Sequence, residues 1–202
     1  MSSLVLIAPP GGGKGTLTSN LINKYPYKVI STGDVLRDAA KTNKDIASKL
    51  SKGELIDDEL LFSLIENKIE KGSNYIFDGI PRTLNQAVKL HSILDNYKVI
   101  YFEVDYDTLL KRIVGRRICP DCHTIYNIYT DKVKESCPKC NTKLSTRTDD
   151  NEETFKKRYE IYEENTKDII DYYKKMDNLY IIKGDTPEDY LKETERLEGL
   201  ND

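Results

Sequence analysis

Apolar residues along this chain gather into short runs separated by longer amphipathic stretches. The first run, 4–8 (Leu-Val-Leu-Ile-Ala), is continuous, the pattern of a strand covered on both faces. Four further β-like runs lie at 28–31, 75–77, 98–104 and 180–183. Between them the spacing is helical: 17–25 and 59–71 read as helices, and 151–175 reads as a long charged helix with Glu/Lys pairs one turn apart. Asp57 and Asp58 suit the positive end of the 59–71 helix. Strands alternating with helices predict parallel pairing through right-handed crossovers, hence an α/β fold with a doubly wound, five-stranded parallel sheet. Such sheets bind ligands at the carboxyl ends of their strands.

The polar motifs sit at those ends. Pro9-Pro10-Gly11-Gly12-Gly13-Lys14-Gly15-Thr16 follows the first strand, Ser31-Thr32-Gly33-Asp34 ends the second, and Asp78-Gly79-Ile80-Pro81-Arg82 follows the third. A glycine-rich turn between strand and helix is the layout of a P-loop: glycines let backbone N–H groups face a polyphosphate, and the helix N-terminus adds a favourable dipole. Lys14 is placed to reach the β- and γ-phosphates and Thr16 to sit near Mg²⁺. The run departs from the general pattern, with Ala8 at the first glycine position and Gly15 between Lys14 and Thr16. Asp78, ending an apolar strand, is placed to order Mg²⁺ through water; the plainer reading is a turn aspartate beside Gly79.

Two stretches interrupt the alternation. From Asp34 to Leu60 the chain is rich in polar helix formers and broken at Gly53. From Gly115 to Asp150 it carries all four cysteines, as Cys119-Pro-Asp-Cys122 and Cys137-Pro-Lys-Cys140 with fourteen residues between the pairs. Two such knuckles predict a closed four-thiolate zinc site of structural role, drawn together by a hairpin expected over 126–133. Disulfides, a redox pair and a nucleic-acid-binding ribbon are the competing readings; iron is the competing metal. His123 is a weak alternative ligand, and His91 is expected on a helix surface.

Composition narrows the classes. The 202 residues suffice for one domain carrying inserts, and the formal net charge of −3 supplies no basic field for nucleic acid. No stretch approaches the roughly 18 apolar residues of a membrane span, and no secretory leader is visible, so a cytoplasmic location is expected. Against that charge balance, arginines stand at strand ends and insert borders: Arg37, Arg82, Arg112, Arg116, Arg117, Arg147 and Arg158. A lone arginine is usually a solvated surface group; several converging on strand ends suit a transferring phosphoryl group, which calls for positioning and charge neutralisation.

Gly13-Lys14-Gly15-Thr16, Ser31-Thr32-Gly33-Asp34 with Leu36-Arg37, Asp78-Gly79-Ile80-Pro81-Arg82 with Gln86, Arg112 through Arg117, and Arg147-Thr148-Asp149-Asp150 together resemble the adenylate kinase family in its long, zinc-lid form, over essentially the whole chain. The resemblance implies reversible phosphoryl transfer from MgATP to AMP, giving two ADP, by a monomer with no nucleic-acid or membrane partner. It implies a P-loop core of residues 1–30, 61–114 and 151–202, an AMP-binding insert at 31–60 and a zinc-binding lid at 115–150. By motif match, Gly11, Gly12, Gly13, Lys14, Gly15, Thr16, Arg112, Arg116, Ile125, Tyr126 and the backbone at 184–186, with Thr186, would meet ATP. Thr32, Gly33, Arg37, Glu54, Leu55, Ile56, Gly79, Arg82 and Gln86 would meet AMP. Lys14, Arg82, Arg116, Arg147 and Arg158 would carry the chemistry, the last two closing on phosphates of both nucleotides. Departures from the family pattern are Ala8, expected to crowd the loop, Pro9, expected to stiffen its entry, and Ile80 in place of an aromatic; none removes a phosphate-binding group, and activity is expected to survive them. The rivals are a kinase for another nucleoside monophosphate or using GTP, a zinc-ribbon regulatory protein that binds nucleotide without transfer, and an inactive P-loop scaffold.

Overall fold

A computed structural model describes residues 1–200 apart from 71, 134 and 185. In chain order the elements are β1 (Ser3–Ile7), α1 (Lys14–Lys24), β2 (Lys28–Ser31), α2 (Thr32–Ala40), α3 (Lys44–Ser51), α4 (Asp58–Ile65), β3 (Tyr75–Asp78), α5 (Leu84–Ile93), β4 (Tyr97–Phe102), α6 (Tyr106–Val114), β5 (Arg116–Ile118), β6 (Ile125–Asn127), α7 (Glu152–Lys175), β7 (Leu179–Ile182) and α8 (Pro187–Glu198). Among the described residues, β2-β3-β1-β4-β7 form one five-stranded sheet, parallel at every pairing. The expected α/β architecture is thus found, with each β-like run within a residue or two of a strand.

β1 lies at the centre, with Leu4 opposite Ile76 of β3 and Lys98 of β4. Its side chains alternate between two cores, as the pleat requires. Val5 and Ile7 join Phe77 and Val99 beneath α2, α4, α5 and α7, in a cluster containing Leu36, Phe62, Leu90 and Tyr173. Leu4, Leu6 and Ala8 join Ile76, Ile100 and Phe102 beneath Leu17 and Leu21 of α1 and Tyr190 of α8. Burying each such leucine or isoleucine contributes roughly 1.5–3 kcal/mol, so the continuous apolar run is accounted for by two-sided burial. α8 is tied down by buried carboxylates: Glu195 accepts from Lys24 (2.9 Å) and Tyr25 (2.8 Å), and Glu198 accepts from the Ser2 backbone (2.7 Å) and pairs with Lys98 (2.9 Å).

Boundaries differ from expectation where local backbone chemistry decides them. α1 starts at Lys14, not at residue 17, because Gly13 takes a left-handed φ of 95° and turns the chain straight into the helix. α4 is capped by the Asp57 carboxylate, which accepts from Leu60 N at 3.0 Å. It ends at Ile65 and tightens into a 3₁₀ turn over Glu66–Lys68; Lys71, the expected last residue, lies outside the described residues. The hairpin expected over 126–133 is not formed. β6 instead pairs antiparallel with β5 around the first cysteine knuckle. After Asn127 the chain turns, with Asp131 N donating to Asn127 O (2.8 Å) and Asn127 N to the Asp131 carboxylate (2.7 Å). The second knuckle is fastened by single bridges, Ser136 to Lys143 and Ile118 to Ser145.

Candidate functional site

The loop after β1 curls so that Gly12 N donates to Pro9 O at 3.0 Å. Lys14 Nζ rests on the carbonyls of Ala8 (2.8 Å) and Pro9 (3.4 Å). Burial is the main cause that lowers the Lys14 ammonium from its usual 10.5 to about 8; Asp78 opposes the shift, and Arg82, Arg158 and Arg116 add to it. The same side chains crowd one another. Arg82 is lowered by burial, against the attraction of Asp78 and with repulsion from Arg37. Arg158 and Arg147 are each lowered to about 10, first by burial and then by neighbouring guanidinium groups. Lys14, Arg37, Arg82, Arg116, Arg147 and Arg158 are therefore brought near one another at the carboxyl end of the central strands, where their excess of positive charge suits an anion, whereas Arg117 donates to the carbonyls of Arg116 (2.7 Å) and Val114 (3.4 Å).

Carboxylates and carbonyls hold these cations in place. Arg116 makes a two-pronged pair with buried Asp150, Nε to Oδ2 at 2.7 Å and Nη2 to Oδ1, which ties the two ends of the 115–150 segment together. Arg158 pairs with Asp149 (2.7 Å) and Arg37 with Asp34 (2.6 Å). Arg82 Nε donates to Gly79 O at 2.9 Å. Gly79 has φ 91°, and a side chain there would run into Thr32 Oγ1 and Arg82, so this close approach requires glycine. Gln86 is buried, its Oε1 accepting from Arg82 N (2.7 Å) and its Nε2 donating to Asp58 (2.6 Å). A cavity opens among Ala8, Lys14, Gly79, Arg82, Arg158 and Tyr162.

Other expected residues fall around this centre. Leu55 and Gly53 line the cavity, but Glu54 is not among its lining residues and pairs with Lys157 of α7 at 2.9 Å. Thr32 is buried, with Oγ1 donating to Asp78 O (3.3 Å), and Ile56 is buried in the core. Arg112 lies in the last turn of α6. Thr186 spends its hydroxyl on the capping box of α8 with Asp189; of the expected 184–186 stretch, Asp185 lies outside the described residues. Tyr190 connects that stretch to the loop: its hydroxyl donates to Gly184 O (2.7 Å), and a methyl placed on Gly13 would come within 3.6 Å of its ring. Ala8, expected to crowd the loop, instead buries its methyl in the core; the consequence falls on Gly12, where an added methyl would lie 2.8 Å from Ala8 Cβ. Ile80, standing in place of an aromatic, is fully buried in the core.

In the 115–150 segment the four cysteine sulfurs lie within 4.8 Å of one another. Cys119 and Cys140 are 3.3 Å apart and Cys122 and Cys137 3.6 Å apart. These separations exceed the about 2.05 Å of a disulfide and are close to the ~3.8 Å edge of a tetrahedron with metal–sulfur bonds of about 2.3 Å. The donor set therefore fits a metal ion held by four thiolates. Burial raises the Cys137 thiol, but hydrogen bonds from Tyr126 and from the Lys139 and Cys140 backbone outweigh it and bring it down to about 6, favouring the thiolate. Tyr126, expected at a nucleotide, has its hydroxyl 3.3 Å from Cys137 Sγ, a contact that the sequence pattern does not mark. His123 is not part of the cluster among the described residues.

A family model described as adenylate kinase matches residues 6–178. The protein named adenylate kinase from Borrelia duttonii (strain Ly) is 42% identical over 139 residues, spanning 65% of this chain and 65% of its own length. Those of Hydrogenobaculum sp. (strain Y04AAS1) and Thermosipho africanus (strain TCF52B), which carry the same name, are 39% and 40% identical, over 65% and 63% of this chain and 67% and 65% of their own lengths. No described helix is long and apolar enough to cross a membrane.

Proposed function

The chain belongs to the adenylate kinase family, and from that premise we propose that it transfers the γ-phosphoryl group of MgATP reversibly to AMP, forming two ADP. The observation that carries this reading is the crowding of Arg82, Arg158 and Arg116 about Lys14, with Asp78 beside Lys14 and Arg82 and with Arg147 beside Arg116 and Arg37, at the carboxyl end of β1 and β3. A phosphoryl group moving between two phosphates asks for little covalent chemistry and much charge stabilisation. In this assignment the backbone from Gly11 to Thr16 cradles the donor phosphates. Lys14 leaves the Ala8 and Pro9 carbonyls to meet them, and Arg116 and Arg112 approach from the lid side. Thr32, Gly33, Arg37, Leu55, Ile56, Gly79, Arg82 and Gln86 hold the acceptor, with Glu54 contributing backbone only. Arg147 and Arg158 neutralise charge on the phosphates of both. Asp78 orders the magnesium that travels with the donor.

Residues 115–150 form the lid, 31–60 the acceptor insert, and the rest the core. Cys119, Cys122, Cys137 and Cys140 would hold zinc, which supplies a rigid tetrahedral link and no open coordination position. A closed lid excludes water, so phosphate passes to AMP in preference to hydrolysis.

The test is ADP formation from MgATP with AMP, UMP, CMP and GMP offered in turn to the purified protein. Rapid transfer to AMP alone is expected. ATP binding without transfer to any acceptor would overturn the assignment.

A further inference from the structure

β6 forms a thin wall between two sites. Successive residues of a strand point to opposite faces, and Ile125 and Tyr126 do so here. A methyl on Gly15 would stand 3.3 Å from Ile125 Cδ1, so Ile125 lies directly over the P-loop. Tyr126 turns the other way and brings its hydroxyl to 3.3 Å from Cys137 Sγ. The strand is short and pairs with β5 alone among the described residues, with Tyr126 opposite Arg117 and Asn127 opposite Arg116. Its far end is tied to α6, Asn127 Nδ2 donating to Arg112 O (3.2 Å) and Ile128 N to Gly115 O (2.9 Å), which leaves Ile125 and Tyr126 to set how the near end stands against the loop.

We propose that Tyr126 is a positioning residue that links metal occupancy of the cysteine cluster to binding of the donor nucleotide; this rests on the reading that the P-loop takes ATP. When Cys137 ligates a metal as thiolate, its sulfur only accepts, so the phenol donates and fastens β6 to the metal site. Fastened there, β6 holds Ile125 against the rim of the cradle at Gly15. Without the metal the cysteines have no common anchor, and the Tyr126 bond no longer fixes the strand. A nucleotide under Ile125 braces the strand from the other side and so stabilises the bond to Cys137. Such coupling is reciprocal: whatever factor the metal adds to ATP affinity, ATP adds to metal affinity.

The experiment follows release of zinc from the loaded protein to a chromophoric chelator, with and without saturating MgATP and no acceptor. Outer-shell partners of metal ligands typically govern 10- to 100-fold in affinity, so Tyr126→Phe is expected to release zinc about tenfold faster in the absence of nucleotide. MgATP should slow release severalfold from the unaltered protein and have little effect on Tyr126→Phe. Ile125→Ala, which keeps the hydroxyl, should release zinc at the unaltered rate without nucleotide and lose most of the protection by MgATP. Tyr129→Phe, another phenol of the same segment and largely exposed, should behave as the unaltered protein and guards against a general lid effect. Equal protection of Tyr126→Phe and the unaltered protein by MgATP would overturn the proposal, as would release unchanged by removal of the hydroxyl. Binding of MgATP measured by equilibrium dialysis on the same preparation separates this failure from that of the assigned function: ATP bound without protection refutes the link alone, and no ATP bound refutes both.

Discussion

The core and the 115–150 segment are ordered by different means. In the core, β1 is buried along its whole length between two apolar clusters, so its geometry is over-determined by packing. In the segment, the buried apolar residues among those described are Cys119, Val133 and Cys137, too few for a core. There the two-stranded hairpin, a pair of single bridges and the Arg116–Asp150 pair do the holding, around a cysteine cluster that fits a metal. Packing thus orders the core without help, whereas in the proposed lid a bound ion would supply much of the order. The cations proposed to act on phosphate straddle that border: Lys14 and Arg82 stand on the core side, and Arg116 and Arg147 on the side of the 115–150 segment.

Arg82→Ala should separate chemistry from stability most sharply. Burial, only partly offset by the attraction of Asp78 and Asp149, already disfavours the Arg82 cation in the folded state, so its loss should leave the melting temperature within a few degrees. Turnover should fall by about three orders of magnitude. A parallel loss of fold and activity would show that the cations are structural. The next largest effect is removal of the metal, by chelation or by Cys137→Ser. Hydrogen exchange should find 115–150 unprotected while β1, β3 and β4 keep their protection; uniform loss or uniform retention would erase the contrast between the two regions. Within the core, Gly12→Ala should lower stability or ATP affinity by about 1–3 kcal/mol, because its methyl meets that of Ala8. Ala8→Gly should rescue it in part in the double variant, since the Pro9 carbonyl stays 3.0 Å from the added methyl, and fully additive costs would refute the steric explanation.

The smallest effect is a proton. Lys14 is lowered to about 8 in the free protein, and a polyphosphate favours its charged form. At pH 9, binding of ATP should therefore draw in close to one proton through Lys14, seen by calorimetry in buffers of different ionisation enthalpy and lost in Lys14→Met. The sign for folding follows from the same shift: between about 8 and the ordinary 10.5 the unfolded chain binds the extra proton, so Lys14 makes the stability of the free protein rise with pH in that window.

The sheet was legible because 4–8 and its companions are continuous apolar runs, and two-sided burial leaves few other solutions. The cation cluster was legible because its members stand at strand ends and insert borders in sequence, and the cysteine site because two knuckles repeat one spacing. What escaped lies in short-range geometry. A three-residue strand such as β6 carries too little pattern to fix its partner, so the hairpin was expected on the wrong side. The side-chain direction of Glu54, which meets Lys157, depends on a helix a hundred residues away. The opposite facing of Ile125 and Tyr126 needed the strand itself, since nothing in the composition of that stretch distinguishes a nucleotide contact from a tether to sulfur.

The strand order β2-β3-β1-β4-β7 also governs how the chain is made. A ribosome releases β1, the middle of the sheet, well before β3 at Tyr75–Asp78 and β4 at Tyr97–Phe102, which flank it. Until then Leu4 to Ile7 have no partner on either edge, and the phosphate loop has no floor. Parallel pairings across such long separations form slowly and leave apolar segments open to self-association meanwhile. The nascent chain should therefore be most vulnerable before the residues of β4 emerge, and a chaperone that shelters it up to that length would protect the yield of the whole protein.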